Sequence, residues 1–475
     1  MNTENEKICL HDIISSTVTV VGIGISNLPL LRFLLENGAK SISARDKKEK
    51  GELDAEILAL EGEGVSFICG DGYLDGITED VIFRSPGVRP DVPQFEEAKA
   101  RGSLVTSEME LFLALCPATV IAVTGSDGKT TTTTLTYKLL EAQAKKNGGF
   151  NVYVGGNIGA PLLPRVFEMS ERDFAVLELS SFQLQQMRYT PDRAIITNIT
   201  PNHLNWHKDY CEYIEAKTHI IGKDTHVILN AYNEETAKIA DGVDDKTVFS
   251  AHMTKNELCE RFGNCDKLYI DGRQIVYSRG AEEENVLSLD DIRLIGLHNA
   301  ENYMAAIAAV SPFIDTDVIR SVATAFTGVE HRLEFVRELK GVKYYNSSID
   351  SSPMRTSTTL SMLGDGNIVI CGGAAKGLTF ELLAEALCRR AKAVVLTGAT
   401  ALDIEKAIHE CESFDSSALK IYKDPVFKKA VELARDIAEC GDTVVLSPAC
   451  TSFDAFKNFE QRGKVYKDIV NGFTE

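Results

Sequence analysis

The chain has 475 residues, 44% of them hydrophobic and 25% charged, with a formal net charge of −19. This length exceeds one hydrophobic core and predicts two to four domains, and the composition is that of an ordinary globular protein. The charge disfavours non-specific binding to nucleic acid, and no apolar run approaches the roughly 18 residues that cross a membrane.

The cysteines and the N-terminus indicate a reducing compartment. The eleven cysteines are scattered and include no C-x-x-C pair, which suits thiols that pack as small apolar side chains. The first ten residues carry acidic side chains and no apolar segment of the kind that directs secretion. A cytoplasmic protein is therefore expected.

Short β-branched runs alternate with helical patterns along the chain, which is typical of parallel α/β domains. The first run, residues 17–21, leads into Gly-Ile-Gly at 22–24 and then into leucines at helical spacing that stop at Gly38. A second strand is predicted over residues 41–44, shortly before Asp46.

The Gly-x-Gly turn after the first strand is half of a dinucleotide-binding fingerprint, because Asn27 stands where the third glycine would be. A nicotinamide dinucleotide and a nucleoside diphosphate are both compatible with it, since each would place a pyrophosphate against backbone amides. In either case Asp46 could accept a hydrogen bond from a ribose or a base. A tight turn beside a solvated aspartate is the remaining alternative.

The strongest single feature is the sequence Val-Thr-Gly-Ser-Asp-Gly-Lys-Thr-Thr at residues 123–131. It follows the β-rich run 119–123 and precedes leucines at helical spacing, which is the strand–loop–helix context of a phosphate-binding loop. Lys129 would reach the β- and γ-phosphates, and the Thr130 hydroxyl would bind Mg²⁺. The G-x-x-G-K-T spacing is two residues shorter than the usual Walker A pattern. We predict an ATP site at this loop.

Acidic and basic candidates follow the next strands. Glu178 ends an apolar run, at the edge where parallel sheets bind ligands, and fits a magnesium carboxylate. His203 and His207 follow a strand predicted at 194–196, but two histidines four residues apart are more often surface or core side chains than ligands. Lys217 lies in a helical pattern, where a solvated face is an equally good interpretation.

The remainder of the chain continues the α/β pattern. A strand is predicted at 226–229, a small β excursion in the polar stretch 241–285, and an alanine-rich buried helix over 299–309. A last unit begins near Gly328, with strands expected at 341–345, 367–371, 393–396 and 443–446. The pattern predicts three α/β domains, at residues 1–116, 117–328 and 329–475.

Several segments are typical of one family. They are the phosphate loop, Gly-Gly-Asn-Ile-Gly at 155–159, Glu-Leu-Ser-Ser-Phe-Gln-Leu at 178–184, Asn-His-Leu at 202–204, Leu-His-Asn-Ala-Glu-Asn at 297–302, Glu-His-Arg-Leu-Glu at 330–334, Ser-Pro-Ala-Cys-Thr-Ser-Phe-Asp at 447–454 and Phe-Lys-Asn-Phe-Glu-Gln-Arg-Gly at 456–463. Through these segments the chain resembles the Mur ligase family over almost its full length. The segments at 178–184 and 456–463 resemble most closely the members that add D-glutamate.

The resemblance implies a fold, a reaction and a set of substrates. The fold would comprise an N-terminal Rossmann-like domain for a UDP sugar, a central P-loop ATPase-like parallel sheet, and a C-terminal Rossmann-like domain for the acceptor amino acid. The reaction would join D-glutamate to UDP-N-acetylmuramoyl-L-alanine through an acyl phosphate, using ATP and two Mg²⁺ ions. The implied protein is a cytoplasmic monomer that works in peptidoglycan precursor synthesis.

The resemblance also implies roles for individual residues. The UDP sugar would contact Ile25, Ser26, Asp46, Ser85, Gly87 and Asn157. ATP would contact Gly125, Ser126, Asp127, Gly128, Lys129, Thr130, Thr131, Asn299, Asn302 and Arg332. The metal ligands would be Thr130, Glu178 and His203, and the catalytic residues Lys129, Glu178, His203 and Lys217, of which Lys217 would be carbamylated. The acceptor would contact Ser351, Lys376, Ser452, Phe453 and Phe459.

Two positions depart from the family pattern. Ser347 stands where relatives carry an aspartate that contacts nucleotide, and the sequence leaves open whether Asp350 replaces it from three positions on. Asn205 replaces the aspartate often found after the His-Leu pair.

An electrostatic argument supports the carbamate on Lys217. An ammonium group beside Mg²⁺ would be repelled, whereas a carbamate is negatively charged and would be attracted.

Three alternative functions remain at this stage. A sibling ligase would use another acceptor, as the folate polyglutamate-adding and alanine-adding enzymes do. A nicotinamide-dependent oxidoreductase would use the N-terminal turn, but the missing third glycine and the separate phosphate loop count against it. A P-loop regulator without chemistry conflicts with the metal and acceptor residues.

Overall fold

The computed structural model describes residues 8–24, 27–294, 296–374 and 379–474. The chain divides into two compact units, Met1–Ala325 and Phe326–Glu475. They are called the first and the second unit below. Ile25, Ser26 and Lys376, which the sequence assigns to substrate binding, lie outside the described residues.

The first unit begins with a five-stranded parallel sheet. Its strands are β1 (Val18–Val21), β2 (Ile42–Asp46), β3 (Val65–Cys69), β4 (Val81–Arg84) and β5 (Leu104–Thr106), in the order β3-β2-β1-β4-β5. The accompanying helices are α1 (Leu10–Ser15), α2 (Asn27–Glu36), α3 (Ala55–Leu58), α4 (Pro93–Ala100) and α5 (Glu108–Leu115). Every residue of β1 is buried, as expected for a strand covered on both faces of a parallel sheet.

The first unit continues with a nine-stranded sheet. Its strands are β6 (Thr119–Thr124), β7 (Val152–Gly156), β8 (Phe174–Glu178), β9 (Arg193–Ile196), β10 (His226–Asn230), β11 (Lys246–Phe249), β12 (Asp266–Asp271), β13 (Gln274–Arg279) and β14 (Glu282–Ser288). The order is β14-β13-β12-β11-β10-β9-β6-β8-β7. Pairing is parallel from β7 to β12 and antiparallel along β12, β13 and β14. The carboxyl ends of the parallel strands therefore meet at one edge.

Helices of this second sheet include a long one after the phosphate loop. They are α6 (Lys129–Asn147), α7 (Ser181–Leu184), α8 (Tyr210–Thr218), α9 (Glu234–Asp241), α10 (Lys255–Phe262), α11 (Leu297–Val310) and α12 (Thr316–Ala325). The start of α6 is rich in threonine, a weak helix former. Hydroxyls of Thr134 and Thr136 donate to the carbonyls four residues earlier, at 2.7 and 2.8 Å, which satisfies these side chains inside the helix.

The second unit is a six-stranded sheet with its own core. Its strands are β15 (Glu334–Leu339), β16 (Val342–Asn346), β17 (Asn367–Cys371), β18 (Ala391–Leu396), β19 (Lys420–Lys423) and β20 (Thr443–Leu446), in the order β15-β16-β20-β17-β18-β19. All pairs are parallel except β15 with β16. The helices are α13 (Pro353–Met362), α14 (Glu381–Arg390), α15 (Ala401–Glu410), α16 (Phe427–Asp436) and α17 (Phe459–Asn471). Two apolar clusters cover the two faces.

The architecture confirms the predicted α/β class with parallel sheets. The predicted strands are present with ends shifted by one or two residues, and the stretch 241–285, expected to be a small β excursion, contains β11, α10 and most of the β12–β14 segment. The alanine-rich helix, α11, starts two residues earlier than predicted. The unit boundary at 325/326 lies three residues before the predicted boundary, and residue 116 falls between α5 and β6. In the part of the chain described here, no helix is long and apolar enough to cross a membrane.

Candidate nucleotide and metal site

The phosphate loop joins β6 to α6 and depends on two glycines. Gly125 has φ +147°, and a Cβ on it would lie 1.9 Å from the Thr197 hydroxyl. Gly128 has φ +79°, and a Cβ there would lie 2.5 Å from the side-chain oxygen of Asn302. Both positions exclude other residues, and they bring the loop to the N-terminus of a 19-residue helix, whose free amides and dipole favour an anion.

Residues that follow β9 fix the backbone of the loop. The Ser126 amide donates to the Asn198 carbonyl at 2.8 Å, and the Asp127 carbonyl accepts from Thr197 Oγ1 at 2.6 Å and from Asn198 Nδ2 at 3.1 Å. The Ser126 hydroxyl lies 2.8 Å from the Tyr213 hydroxyl. The loop is therefore held on one side by the neighbouring strand end and on the other by α8.

Two lysines converge on one carbonyl oxygen of the loop. Lys129 Nζ donates to the Gly125 carbonyl at 3.0 Å and to the Ser126 carbonyl at 2.9 Å. Lys217 Nζ donates to the same Gly125 carbonyl at 2.7 Å. Two like charges thus face one acceptor, an arrangement that is favourable only if one of them is neutral or an anion lies nearby.

Lys217 is the buried member of this pair. It is 1% exposed, and its ammonium lies 4.7 Å above the Tyr213 ring. Burial, and to a smaller extent the charge of Lys129, lower the pKa of Lys217 to about 6 against the opposing effects of Asp127 and Glu178. The solvated-face interpretation is therefore wrong. A buried, neutral amine is a nucleophile rather than a surface cation.

Glu178 presents a buried carboxylate beside the loop. It ends β8 in register with Val123 and Gly156, and it is 2% exposed. Its Oε1 accepts from Asn157 Nδ2 at 2.9 Å, whereas its buried Oε2 has no hydrogen-bond partner among the described residues. An unsatisfied buried carboxylate oxygen fits a cation ligand.

The donor set suits magnesium better than a transition metal. Among the described residues there is no group of three or more His, Cys, Asp or Glu side chains that could hold a metal. Mg²⁺ commonly takes one or two carboxylates, with phosphate oxygens and water as its other ligands. Glu178 and the hydroxyl of Thr130, in the first turn of α6, are compatible with that pattern.

The two histidines after β9 do not act as a pair. His203 is exposed with φ +55°, in a turn rather than a helix. His207 is 2% exposed, and its Nε2 lies 2.9 Å from the Ser181 hydroxyl. Burial lowers the pKa of His207, against the opposing effect of Glu212. His203 is thus exposed to solvent, whereas His207 is a core residue.

The start of α11 lies against the phosphate loop. Asn302 is 6% exposed, accepts from Thr132 Oγ1 at 3.1 Å and donates to Asn299 Oδ1 at 3.1 Å. The predicted nucleotide residues Asn299 and Asn302 are therefore brought to the loop. Arg332 is exposed and belongs to the second unit.

The N-terminal turn gathers three of the residues predicted to bind the UDP sugar. Asp46 Oδ2 accepts from the Ile23 amide at 2.7 Å, which fastens the Gly-x-Gly turn to the end of β2. A Cβ at Gly22 would lie 2.8 Å from the Ser85 Cβ, and Ser85 Oγ accepts from the Gly87 amide at 3.3 Å. Asp46 thus shapes the turn, in addition to any contact with a ligand.

In the second unit, the predicted acceptor residues follow the carboxyl ends of β16 and β20. Ser452 is 3% exposed, Phe453 is 62% exposed, and Ser351 and Phe459 are half-buried. The buried Arg462 connects these loops by donating to the Ser348 and Cys450 carbonyls at 2.9 and 3.1 Å. The arginine of the 456–463 segment therefore has a structural role, because it is buried and holds two loops together.

Asp350 points into the second unit. It is 5% exposed, and its Oδ2 accepts from the Ser447 and Thr359 hydroxyls at 2.7 and 2.8 Å. Burial raises the pKa of Asp350. Ser347 is fully buried and its hydroxyl accepts from the Leu333 amide at 3.1 Å. Both side chains therefore form hydrogen bonds within the second unit, and these stabilise the segment that follows β16.

Sequence reasoning missed Tyr213, Thr197 and Asn198. Tyr213 lies four residues before Lys217 on the same face of α8, so helical spacing could have paired the two. Thr197 and Asn198 directly follow β9, at the edge where parallel sheets bind ligands. Thr197 and Asn198 contact the backbone of the phosphate loop, and contacts with backbone atoms produce no recognisable sequence motif.

The strand–loop–helix unit of β6 and α6, at the carboxyl edge of a parallel sheet, defines a P-loop nucleotide-binding protein. Residues 123–310 match the Mur ligase middle domain. Over 477 aligned residues the chain is 44% identical to the UDP-N-acetylmuramoylalanine–D-glutamate ligase of Ruminiclostridium cellulolyticum, covering 99% of each chain. The chain belongs to the Mur ligase family.

Further similarities agree with this membership. The protein of the same name from Acetivibrio thermocellus is 44% identical over 460 residues, 96% of each chain. The crystal structure of the UDP-N-acetylmuramate–alanine ligase of Thermotoga maritima superposes with a TM-score of 0.54 at 18% identity, covering 96% of this chain and 99% of that one. At that identity the structural similarity supports the fold alone.

Proposed function

We propose that the protein is an ATP-dependent ligase that joins D-glutamate to UDP-N-acetylmuramoyl-L-alanine, a cytoplasmic step of peptidoglycan precursor synthesis. The names of the relatives that are 44% identical over nearly the whole chain support the substrates. One observation supports phosphoryl transfer from ATP. Lys129 and Lys217 both donate to the Gly125 carbonyl, and Glu178 has a buried oxygen without a partner among the described residues.

The proposed reaction has two steps. The alanyl carboxylate attacks the γ-phosphorus of ATP, the bond to the bridging oxygen breaks, and ADP leaves. The amine of D-glutamate then attacks the acyl phosphate carbon, loses a proton, and phosphate leaves as the amide forms. Positioning and charge neutralisation supply most of the rate in such transfers.

The chain would bind the triphosphate through the loop at 125–131. Amides at the start of α6 would face phosphate oxygens, and Lys129 would move from the loop carbonyls to the γ-phosphoryl oxygens. Thr130, Glu178 and His203 would hold two Mg²⁺ ions, which neutralise charge on the transferred group. Asn299, Asn302 and Arg332 would contact the nucleoside and phosphates.

Lys217 would react with carbon dioxide. Its neutral amine adds to the carbon of CO₂ and one proton is released, which gives a carbamate. The lowered pKa of Lys217, near 6, supports this because only the unprotonated amine can add. The product would replace the repulsion from Lys129 by attraction and would add an anionic oxygen near the metal site.

The remaining substrates would be divided between the other sheets. The N-terminal residues at 1–116 would bind the UDP sugar through Ile25, Ser26, Asp46, Ser85 and Gly87, with Asn157 at the muramyl-alanine end. Residues 117–328 would form the ATP domain and 329–475 the acceptor domain. Ser351, Lys376, Ser452, Phe453 and Phe459 would contact D-glutamate, whose two carboxylates require a cation and several donors. The working form would be a monomer.

A panel of amino acids tests this proposal. Phosphate release is measured with ATP, Mg²⁺ and UDP-N-acetylmuramoyl-L-alanine, with each amino acid supplied in turn. We expect release with D-glutamate and only background with L-glutamate or L-alanine. Stimulation by L-alanine with UDP-N-acetylmuramate instead would assign the chain to a sibling ligase. Saturable NADH binding would favour the oxidoreductase alternative.

A further inference from the structure

His207 is a buried imidazole with one hydrogen-bonded ring nitrogen and one that lies near a carboxylate. Nε2 lies 2.9 Å from the Ser181 hydroxyl, and Nδ1 faces a Glu212 carboxylate oxygen at 3.4 Å. Among the described residues Nδ1 has no partner with hydrogen-bond geometry, so the contact with Glu212 is electrostatic, whereas Nε2 and the Ser181 hydroxyl share a hydrogen bond. The ring stacks on Phe182 at 5.8 Å and meets the Tyr213 ring edge-on at 5.3 Å.

One end of this contact chain reaches the metal-binding turn. Ser181 begins α7, three residues after Glu178, and is 2% exposed. Phe182 contacts the His203 ring at 5.0 Å. The hydrogen bond between Ser181 and His207 therefore holds the segment that follows Glu178 and contacts the His203 ring.

The other end reaches the N-terminal sheet. Glu212 accepts from Arg89 Nη2 at 2.8 Å, and Arg89 is also held by both oxygens of Asp91 at 2.8 and 3.0 Å. Arg89 comes two residues after Gly87, in the turn that follows β4. A continuous path of contacts thus runs from the predicted UDP-sugar turn through Glu212 and His207 to Ser181.

We infer that His207 is a positioning residue, which holds the turn carrying Glu178 and His203 in the geometry that binds magnesium and ties it to the turn after β4. This inference rests on the proposed metal ligands. Groups that orient metal ligands commonly change metal affinity by 10- to 100-fold when they are removed. His207 would act through Ser181 and would not touch the metal.

The test is the magnesium dependence of nucleotide binding, which requires no turnover. A non-hydrolysable ATP analogue is titrated into the full chain by calorimetry at a series of Mg²⁺ concentrations. His207→Phe keeps the ring and its stacking but removes both polar contacts, and Ser181→Ala removes one hydroxyl. We expect each to raise the Mg²⁺ concentration for half-maximal binding about tenfold. The double variant should be no worse than His207→Phe alone.

His226 provides a matched control. Its Nδ1 lies 2.7 Å from an Asp245 oxygen and its Nε2 2.9 Å from the Thr247 hydroxyl, so the same chemistry occurs at the opposite, amino end of β10. His226→Phe should lower stability without changing the magnesium titration. His207→Gln, whose amide can reach Ser181, should recover part of the wild-type magnesium affinity.

Two results would overturn the inference. One is a His207→Phe protein whose unfolding midpoint falls as in His226→Phe while its magnesium titration superimposes on wild type. The other, decisive if His207→Phe does not fold, is a wild-type magnesium titration in Ser181→Ala. Wild-type protein that binds magnesium and nucleotide but never releases phosphate with D-glutamate would instead refute the proposed reaction, and the binding test would still stand.

Discussion

At the residue scale, the phosphate-loop lysine gives the most direct test of the proposed chemistry. In Lys129→Ala the loop glycines and the α6 N-terminus remain, so the fold should be retained. The cation that would face the γ-phosphoryl oxygens is lost, and we expect kcat to fall by about three orders of magnitude or more. Steady-state phosphate release measures the loss, and circular dichroism checks the fold. Near-normal turnover would refute the assignment of this loop.

The Lys217 carbamate can be observed without an activity assay. Protein equilibrated with ¹³C-labelled CO₂ should give one carbamate carbonyl signal in its ¹³C NMR spectrum, and Lys217→Met should lack it. The signal should be lost as the pH falls below about 6, because protonation removes the nucleophilic amine. A signal that survives in Lys217→Met would place the modification elsewhere.

Glu108 predicts a pH dependence of stability. It begins α5, is 6% exposed, and one of its oxygens has no hydrogen-bond partner in the described part of the chain. Burial raises the pKa of Glu108 to about 7, against the backbone hydrogen bond of Leu163. Its ordinary value is 4.5, so the folded state binds the extra proton between pH 4.5 and 7. The contribution of Glu108 to stability is therefore complete below pH 4.5 and is lost as the pH rises to 7.

The matching variant is Glu108→Gln, which stays neutral at every pH. At pH 8 we expect its free energy of unfolding to exceed that of wild type by up to about 3 kcal/mol, and its unfolding temperature to be higher accordingly. Near pH 4.5 the two proteins should unfold at the same temperature. Thermal unfolding followed by circular dichroism across this range measures the difference. Equal midpoints at pH 8 would mean that the carboxyl is hydrated.

At the scale of elements, the β6–α6 unit depends on backbone that only glycine adopts. Gly125→Ala would place a methyl group 1.9 Å from the Thr197 hydroxyl at φ +147°, so the loop must shift. We expect strain of roughly 1–3 kcal/mol and loss of measurable nucleotide binding by calorimetry. Gly148→Ala, at the other end of α6, would bring its methyl group within 4 Å of no atom of the described residues, and it should bind nucleotide like wild type. Equal binding by both variants would contradict the phosphate cradle.

The sequence predicted best those elements for which two independent patterns, residue composition and hydrophobic periodicity, indicated the same structure. The run at 119–123 combines β-branched residues with a glycine turn and a helical leucine pattern, and β6 and α6 appear there with little change. For the burial of the Lys217 and His207 side chains, the residues themselves offered only their spacing, although the family resemblance gave Lys217 a role. Spacing cannot distinguish a solvated face from one buried by distant segments, because burial of Lys217 depends on the loop of β6 and the end of β8.

The site residues divide in the same way. Glu178 could be assigned because a carboxylate at a parallel strand end has few structural uses. The separate environments of His203 and His207 could not, since the left-handed backbone at His203 and the carboxylate of Glu212 are not visible in their spacing. Asp350 likewise could not be assigned, because its orientation toward Ser447 depends on a residue 97 positions away.

At the scale of the whole molecule, the second unit should fold on its own. Residues 326–475 contain a complete six-stranded sheet, with apolar clusters on both faces that belong to this segment. At 150 residues such a segment buries enough surface for independent stability. We expect the fragment 326–475 to unfold in one cooperative thermal transition by circular dichroism and to protect its β17 and β20 amides from hydrogen exchange.

The control for this prediction removes the strand on which the sheet depends. The fragment 326–440 lacks β20, which pairs with β16 on one side and β17 on the other, and it lacks α17, whose Arg462 holds the loops at the carboxyl edge. Two strands would then be left with unpaired inner edges, and part of the core would be exposed. This shorter fragment should melt without a transition. If both fragments behave alike, folded or unfolded, the second unit does not owe its stability to its own sheet.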